Sequence, residues 1–406
     1  MDLKSGYPFW AVKNGLLKAY PPLARDHQCD VVVIGGGITG ALIADELSRH
    51  GHYVVVLERR DVGWGSSAAS TALLQYEIDT HMTELAKLYG EANALLAYRA
   101  CADAIRELES LAAGLGDVDF AHQQSLYYAS SEEDVAPLKE ELALRQKHGF
   151  DASWLDKETI LAEYDFAAPG AILTQLAASI DPYRMAYQLF ARLVERGGEV
   201  YDRTKMETMA PDEEGVTLTL TNGTTLRCQH VVMAAGYESQ SWLPESVAIN
   251  RSSYALITDP LSPKALGKLR HTMVWESARP YLYLRTTCDG RLLVGGDDDD
   301  EDIPQRRDAR VEEKAQGLAS KVEALWPKLD INPTFSWGGT FAETKDGLPF
   351  FGPHEAHGPR VHFAMAYGGN GISYSMIGAK LLRALIEGEE HPLAELFSFK
   401  RLAKMN

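Results

Sequence analysis

The chain has 406 residues, a length suited to two domains, and its 45% hydrophobic and 24% charged content is typical of a soluble globular protein. A net charge of −17 argues against a nucleic-acid-binding protein, which needs a basic face. No apolar run is long enough to cross a bilayer, and the first residues lack the apolar core of a signal peptide. The four cysteines are dispersed without CxxC spacing, which indicates reduced thiols and predicts no metal site. We therefore expect a cytoplasmic protein without a transmembrane segment.

Residues 29–60 follow the pattern of strand, glycine-rich turn, helix, strand and acid. The run VVVI predicts a strand buried on both faces, and Gly35, Gly37 and Gly40 complete G-x-G-x-x-G before a helix. In such a loop the first glycine makes a tight turn, the second admits a pyrophosphate and the third lets helix and strand pack closely. Glu58 ends the second strand, where it is placed to accept hydrogen bonds from a ribose. This window predicts a dinucleotide site but does not separate NAD from FAD.

A segment of small and hydroxyl residues occupies positions 61–79, where a simple NAD fold would begin its next helix–strand unit. Small side chains let the backbone approach a bulky flat ligand. Ser66, Ser67 and Thr71 are candidates to donate hydrogen bonds to phosphate or ring atoms. A surface loop that caps a helix is the alternative interpretation.

Later segments predict further strands. Two alternating runs around Asn222-Gly223 predict a β-hairpin, and its second run ends in VVMAAG, a strand expected to return to the nucleotide-binding sheet. The runs SLYYAS, SSYALIT, YLYLR and RLLVGG predict a separate, mostly antiparallel sheet. The acidic run at 297–302 is interpreted as a solvated loop.

A second glycine-rich segment, YGGNGIS at 367–373, precedes a helical pattern near the end of the chain. Alone, it fits a turn with a helix cap as well as a binding loop. However, DVVVIGGGITG, Glu58, GSSAAS, IDPYR, VVMAAG, DGRLLVGG, ETKDGLPFFG and YGGNGIS occur in one order. Together they resemble the FAD-dependent D-amino-acid oxidase superfamily, in its glycine oxidase and γ-glutamylputrescine oxidase-like branch.

The resemblance implies an α/β fold with a Rossmann-type FAD-binding domain and a second, mostly antiparallel β-sheet substrate domain (α+β). We assign residues 27–85, 151–245 and 330–406 to a discontinuous FAD-binding domain, 86–150 and 246–329 to the substrate-binding domain, and 1–26 to an N-terminal extension. FAD would be bound non-covalently between the two glycine-rich helix starts, the second of which would aim N–H groups at the flavin. The residues predicted to bind FAD are Gly35, Gly37, Ile38, Thr39, Gly40, Glu58, Arg59, Ser66, Ser67, Thr71, Leu73, Met206, Ala235, Gly236, Gly369, Asn370, Gly371 and Ile372.

Tyr281, Tyr283 and Arg285 alternate along one predicted strand and therefore share a face. The resemblance implies that Arg285 grips a substrate carboxylate, a task that suits the planar guanidinium. Arg279 and Arg251 are alternatives for that role. The tyrosines expected to line the substrate pocket, with core packing as the alternative, are Tyr281, Tyr283, Tyr254 and Tyr367.

The resemblance further implies oxidation of the C–N bond of an amine or amino acid: a D-amino acid, an N-substituted glycine or a polyamine-type compound. Hydride would pass to flavin N5, the resulting imine would be hydrolysed, and oxygen, a quinone or a protein would accept the electrons. The acidic charge fits a zwitterionic or polyamine-like substrate better than an anionic one. One alternative is a 2-hydroxy-acid or polyol dehydrogenase with His81 or His122 as the base. Another is a non-catalytic FAD-binding protein. The oligomeric state does not follow from the sequence.

Overall fold

Two β-sheets dominate the computed structural model, which describes residues 3–405. The strands are β1 (His27–Ile34), β2 (Val54–Leu57), β3 (Leu73–Gln75), β4 (Ala121–Tyr128), β5 (Ala152–Asp156), β6 (Gly170–Ser179), β7 (Glu199–Tyr201), β8 (Met206–Pro211), β9 (Val216–Leu220), β10 (Thr225–Met233), β11 (Ile249–Pro260), β12 (Thr272–Glu276), β13 (Leu282–Thr286), β14 (Arg291–Asp299), β15 (Pro333–Glu343), β16 (Phe350–Pro353) and β17 (Val361–Met365). The helices are α1 (Phe9–Asn14), α2 (Ile38–Arg49), α3 (Ser66–Ala69), α4 (Met82–Tyr89), α5 (Glu91–Ala113), α6 (Val135–Lys147), α7 (Lys157–Tyr164), α8 (Pro182–Glu195), α9 (Pro263–Leu266), α10 (Pro304–Ala309), α11 (Val311–Leu325), α12 (Gly371–Glu387) and α13 (Leu402–Met405). Across residues 3–405, no helix combines the length and the apolar character that a membrane crossing requires.

The first sheet contains the predicted nucleotide-binding strands, in the order β16-β17-β10-β1-β2-β7. β1 lies between β2 and β10 and runs parallel to both. Val31, Val32 and Val33 are fully buried, as expected for a parallel strand covered on both faces. The predicted hairpin is present as β9–β10, with Gly223 at φ 82° in its turn. The VVMAAG strand therefore returns to this sheet, as predicted.

The second sheet is mostly antiparallel, in the order β15-β11-β14-β13-β12-β4-β6-β3 with β5 beside β6. Its parallel pair is β4–β12. The predicted fold class is therefore confirmed, but the predicted boundaries do not follow the sheets. β3, β5, β6 and β15 pair in the second sheet although ranges 27–85, 151–245 and 330–406 had been assigned to the FAD-binding domain. The chain crosses between the sheets more often than its motifs indicate.

The acidic run at 297–302 is not simply a solvated loop, because β14 continues through Asp299. Asp297 contacts Lys314 and Lys321 of α11, at 3.0 and 2.9 Å. Asp299 contacts Arg310 at 2.9 Å. Asp298, the residue between them, is directed elsewhere, because the pairing of β14 with β11 is irregular between Gly296 and Asp299 and Asp297 has φ 53°.

The N-terminal segment packs against both sheets. On β15, Thr340 N–H donates to the Leu3 carbonyl oxygen, and Ser5 N–H donates to the Gly338 carbonyl oxygen, each at 2.9 Å. Tyr20 N–H donates to the Asp202 carboxylate, 2.8 Å away, just beyond β7. Residues 3–23 are thus an integral part of the fold, and Leu3 reaches the cleft described next.

Candidate active site

A cleft of about 820 Å³ is lined by residues of both sheets. Its volume lies within the range of cofactor and ligand sites. Both glycine-rich segments reach it, so peptide groups more than 300 residues apart converge on one cavity. The residues predicted to bind FAD that line the cleft are Gly35, Gly37, Ile38, Thr39, Glu58, Arg59, Ser66, Ser67, Thr71, Leu73, Met206, Ala235, Gly236, Gly369, Gly371 and Ile372.

The first glycine-rich turn leaves no room for side chains. Gly35 has φ 121°, and a Cβ added there would lie 2.2 Å from the Ala234 carbonyl oxygen. Gly40 is not among the described lining residues. A Cβ at Gly40 would lie 2.0 Å from the Gly35 carbonyl oxygen, so this glycine lets α2 pack against the turn. The turn thus presents bare backbone to the cleft, as pyrophosphate binding requires.

Hydroxyl groups complete this end of the cleft. Ser67 Oγ accepts a hydrogen bond from Ile38 N–H, 2.8 Å away, which leaves the hydroxyl proton of Ser67 available to a ligand. Ser66 Oγ is buried and has no hydrogen-bond partner among the described residues. A phosphate oxygen would satisfy both hydroxyls, so these residues fit a dinucleotide. Thr39 Oγ1 lies 2.8 Å from Ser375 Oγ, which joins the starts of α2 and α12.

Glu58 lies where a ribose would be expected. Its carboxylate accepts hydrogen bonds from Gly36 N–H and Arg60 N–H, 2.7 and 2.8 Å away. Burial raises the pKa of this carboxyl, while these two backbone donors oppose the rise. Each carboxylate oxygen retains acceptor capacity, so the predicted contact with a ribose hydroxyl fits the site.

The second glycine-rich segment differs in part from its predicted role. Gly369 N–H donates to Asp79 Oδ2, 2.9 Å away, instead of pointing freely into the cleft. Asn370 is buried outside the described lining, and its Nδ2 donates to the carbonyl oxygens of residues 75 and 77 at 3.0 and 2.9 Å. Asn370 therefore anchors the loop to β3. Gly371 and Ile372 begin α12 and line the cleft, so theirs are the N–H groups without intrahelical acceptors that fit a flavin edge.

Three side chains hold the loop between α3 and β3. Trp337 Nε1, Trp10 Nε1 and Arg285 Nε donate to the consecutive carbonyl oxygens of residues 69–71, at 2.9, 2.7 and 2.7 Å. Ala72, the next residue, has φ 51°, a left-handed conformation that is costly for a residue with a Cβ. These three donors, here termed the loop clamp, fix a strained segment that lines the cleft.

Arg285 does not have the predicted position. It is not among the described lining residues, and its Nη2 donates to the Ile180 carbonyl oxygen, 3.2 Å away. Burial lowers the pKa of its guanidinium to about 10. The geometry contradicts the prediction that Arg285 grips a substrate carboxylate. Alternation correctly gave it the same face as Tyr283, but it lies about 7 Å further along β13, behind the loop.

Aromatic rings line the substrate end of the cleft. Tyr281 and Tyr283 line it as expected, together with Trp275 of β12. Trp275 stacks on Tyr127 with ring centroids 3.7 Å apart. Burial raises the pKa of Tyr283 to about 12, so this phenol remains protonated at neutral pH. The other two tyrosines named from the sequence, Tyr254 and Tyr367, also line the cleft.

Two carboxylates at this end, Asp79 and Asp298, were missed by sequence reasoning. Asp298 Oδ1 is buried and has no hydrogen-bond partner among the described residues. Burial is the largest cause that raises the pKa of Asp298, to about 7, and the negative charges of Asp79 and Glu343 raise it further. Regular alternation could not have found this carboxylate, because Leu292 and Val294 of β14 pack with Leu318 of α11 and a period of two would put Asp298 on that same side. The pairing of β14 with β11 is irregular between Gly296 and Asp299, where Asp297 has φ 53°, and this bulge turns Asp298 to the cleft.

Other predicted polar groups lie elsewhere. His81 Nε2 lies 3.1 Å from the Tyr127 hydroxyl, and exposed His122 pairs with Glu109. Arg251 pairs with Glu343 at 2.8 Å, and exposed Arg279 lies outside the described lining. None of the described residues that line the cleft is a histidine.

Comparison with known proteins agrees with this geometry. The profile of the DAO family, described as FAD dependent oxidoreductase, matches residues 30–385. Glycine oxidase of Geobacillus kaustophilus is 27% identical over 90% of this chain and 94% of its own length. Gamma-glutamylputrescine oxidoreductase of Escherichia coli is 24% identical over 94% of this chain and 89% of its own length.

Among solved structures, that of glycine oxidase from Geobacillus kaustophilus superposes with a TM-score of 0.76. It is 23% identical and covers 92% of this chain and 99% of its own. The predicted resemblance and the predicted cofactor are thereby confirmed. The chain belongs to the DAO family of FAD-dependent oxidoreductases.

Proposed function

We propose that this oxidoreductase acts on the C–N bond of an amine or amino acid. The observation that carries the proposal is the composition of the cleft. Both glycine-rich segments border it, and its far end is formed by aromatic rings and carboxylates, without a histidine among the described lining residues. The names of the relatives, glycine oxidase and gamma-glutamylputrescine oxidoreductase, support the same class of reaction.

When bound, FAD supplies a two-electron acceptor. In the substrate, a hydride leaves the carbon next to nitrogen as the nitrogen lone pair forms a C=N bond, and water then hydrolyses the imine to a carbonyl compound and an amine. Such a reaction depends on orientation and water exclusion and needs no side-chain base.

The chain's own groups are suited to these tasks. Trp275, Tyr281 and Tyr283 form an apolar wall that excludes water and restricts the orientation of the substrate. The first N–H groups of α12, at Gly371 and Ile372, would hold developing negative charge at the cofactor.

The alternative of a 2-hydroxy-acid or polyol dehydrogenase has weaker support. Abstraction of a hydroxyl proton calls for a base in contact with the substrate. The two predicted candidates, His81 and His122, contact Tyr127 and Glu109 and do not line the cleft. The base would instead have to be one of the lining carboxylates, Asp79 or Asp298.

Anaerobic mixing of the FAD-loaded protein with separate panels of amines, amino acids and 2-hydroxy acids tests the proposal. We expect amines or amino acids to bleach the absorption band of oxidised flavin. Bleaching by hydroxy acids alone would overturn the proposal in favour of the dehydrogenase. A flavin that every panel leaves oxidised would overturn it in favour of a non-catalytic FAD-binding protein.

A further inference from the structure

The charged side chains that line the cleft are distributed unevenly: at the cofactor end the cations are mixed with the carboxylates Glu58, Glu207 and Glu238. Among the described residues, the lining cations are Arg59, Arg60 and Lys205. They adjoin Glu58 at the cofactor end, where Thr204 N–H donates to the Glu58 carbonyl oxygen. At the substrate end the charged lining groups of the described chain are two carboxylates, Asp79 and Asp298, with no cation beside them in the lining. This end therefore presents negative charge to a ligand.

One oxygen of Asp298 lacks a partner, although a hydrogen bond from the Ser253 side chain acts on the same carboxyl and lowers its pKa. Asp79 already accepts hydrogen bonds from Gly369 N–H and, at 3.4 Å, from the Tyr281 hydroxyl. Asp298 Oδ1, by contrast, is buried with no partner among the described residues. A buried carboxylate oxygen without a donor is costly, and a second carboxylate nearby adds repulsion. A ligand that brings positive charge and N–H donors would relieve both costs.

The surrounding rings favour the same kind of ligand. Trp275, Tyr281 and Tyr283 line this end, and aromatic faces attract cations. The protein itself provides an example, because the exposed Arg279 guanidinium lies 4.0 Å from the centroid of the Tyr281 ring. A cation inside the cleft would meet a similar ring environment and, in addition, the Asp298 carboxylate.

We infer that the substrate is a diamine or polyamine. One nitrogen undergoes the oxidation described above, and a second, protonated nitrogen is bound by Asp298 and Asp79 beside the tyrosine rings. This inference rests on the proposed amine oxidation and specifies its substrate class. A substrate carboxylate at the same place would meet Asp79 and Asp298 in the lining, whereas the guanidinium that also acts on Asp298, that of Arg279, lies outside the described lining. The net charge of −17 would also draw polycations towards the protein.

Steady-state kinetics of the FAD-loaded protein test the inference. The substrates are linear diamines of increasing chain length, 1-aminobutane and glycine. Because Asp298 occupies a fixed position, one diamine length should give the highest kcat/KM, well above the values for 1-aminobutane and glycine. Asp298→Asn should raise KM for that diamine about 100-fold, the cost of leaving a buried charge unpaired. It should change KM for 1-aminobutane less than about threefold, because a monoamine has no second charge to lose.

Asp302→Asn is the matched control, because Asp302 belongs to the same acidic run but is exposed and lies outside the described lining. It should leave every KM unchanged. A measurement on the unmodified protein does not depend on the folding of either variant: tetramethylammonium should inhibit competitively, whereas acetate should not.

Two outcomes would separate this inference from the proposed function. Competitive inhibition by acetate, or a preference for glycine over every diamine, would overturn the diamine assignment and leave amine oxidation intact. An unchanged KM of Asp298→Asn for the diamine would overturn it as well. Failure of every amine and amino acid to reduce the flavin would overturn the proposed function itself.

Discussion

The two ends of the cleft are built from different parts of the polypeptide. The cofactor end consists largely of backbone and small residues, such as Gly35, Gly37 and Ser67, at the starts of helices. The substrate end consists of large rings and carboxylates, such as Trp275, Tyr283 and Asp298, on separate strands of the second sheet. A surface made by backbone depends on the path of the chain, whereas one made by side chains changes with single substitutions that leave the fold intact. Cofactor choice and substrate choice are therefore encoded separately.

The strongest test of this contrast is Gly35→Ala. A Cβ at this position would lie 2.2 Å from a carbonyl oxygen, in a backbone conformation with φ 121°. Backbone strain and steric overlap together should lower the free energy of unfolding by about 4 kcal/mol and displace the turn. We expect loss of bound FAD, measured as the flavin-to-protein ratio after gel filtration, and a lower thermal unfolding temperature.

Gly317→Ala in α11 is the control, because no atom lies within 4 Å of the added Cβ. This variant should retain FAD, and its free energy of unfolding should rise by up to about 1 kcal/mol, because a helix favours alanine over glycine. Full FAD occupancy in Gly35→Ala would show that the turn is not shaped by its glycine.

The next largest effect is expected from Arg285→Met, which tests the boundary between the two ends. Removal of a clamp donor leaves the part-buried carbonyl oxygen of Thr71 and the buried one of Ile180 without Arg285, so the free energy of unfolding measured in denaturant should fall by about 3 kcal/mol. KM should change less than about threefold for substrates with or without a carboxylate. Arg306→Met is the control, because Arg306 is exposed, and it should lower the free energy of unfolding by less than about 0.5 kcal/mol. A sharp rise in KM confined to carboxylate substrates would restore the role in substrate binding that the sequence predicted for Arg285.

The substrate end should also make stability depend on pH. The raised pKa of Asp298, about 7, means that the folded protein keeps a proton that the unfolded chain loses from about pH 4 upwards. The charged groups acting on this carboxyl are Asp79, Glu343 and Arg279. The free energy of unfolding should therefore fall as the pH rises from 4 to 7 and then level off. This decrease in the free energy of unfolding is roughly 2 kcal/mol, after allowance for the partial exposure of the carboxyl.

Denaturant unfolding of Asp298→Asn at pH 5 and pH 8 measures this contribution. The variant should gain stability relative to the unmodified protein at pH 8 and much less at pH 5. An equal difference at both values would show that the Asp298 carboxyl titrates normally.

The smallest effect is expected at the cofactor end from Asn370→Ala. Its side-chain amide holds the second glycine-rich segment to two carbonyl oxygens of the β3 region. Loss of these hydrogen bonds should lower the free energy of unfolding by about 1.5 kcal/mol. It should also weaken FAD binding roughly tenfold, as measured in a fluorescence titration. Exposed Asn93→Ala, which removes a single bond to a helix carbonyl, should leave FAD affinity unchanged. Unaltered affinity in Asn370→Ala would mean that the loop holds its position without this anchor.

The first glycine-rich turn was predictable because strand, turn, helix and acid are contiguous in residues 29–60 and each obeys a local rule. The alternation of β13 likewise predicted that Tyr281 and Tyr283 share a face, and both line the cleft. Alternation predicts on which face of a strand a side chain lies, but not how far along the strand the cleft extends. For this reason the sequence predicted Arg285 to contact the substrate. Its true partners are backbone carbonyl oxygens whose positions depend on how β13 packs against a distant loop.

The carboxylates were missed for a related reason. Asp298 belongs to an acidic run whose composition favours a solvated loop, and only the continuation of β14 shows that one of its members turns inward. Asp79 follows β3 with no motif of its own. Its position depends on contact with Gly369, a residue 290 positions later in the chain. Such pairings arise from sheet order and are invisible to local patterns.

The hydrogen bond between Asp79 and Gly369 has a consequence for engineering. Asp79 also contacts the Tyr281 hydroxyl, so this carboxylate belongs to both halves of the cleft. A library that randomises it will confound altered specificity with altered redox behaviour. Asp298 lacks that link to the glycine-rich loop and is the better starting position for evolving new substrates.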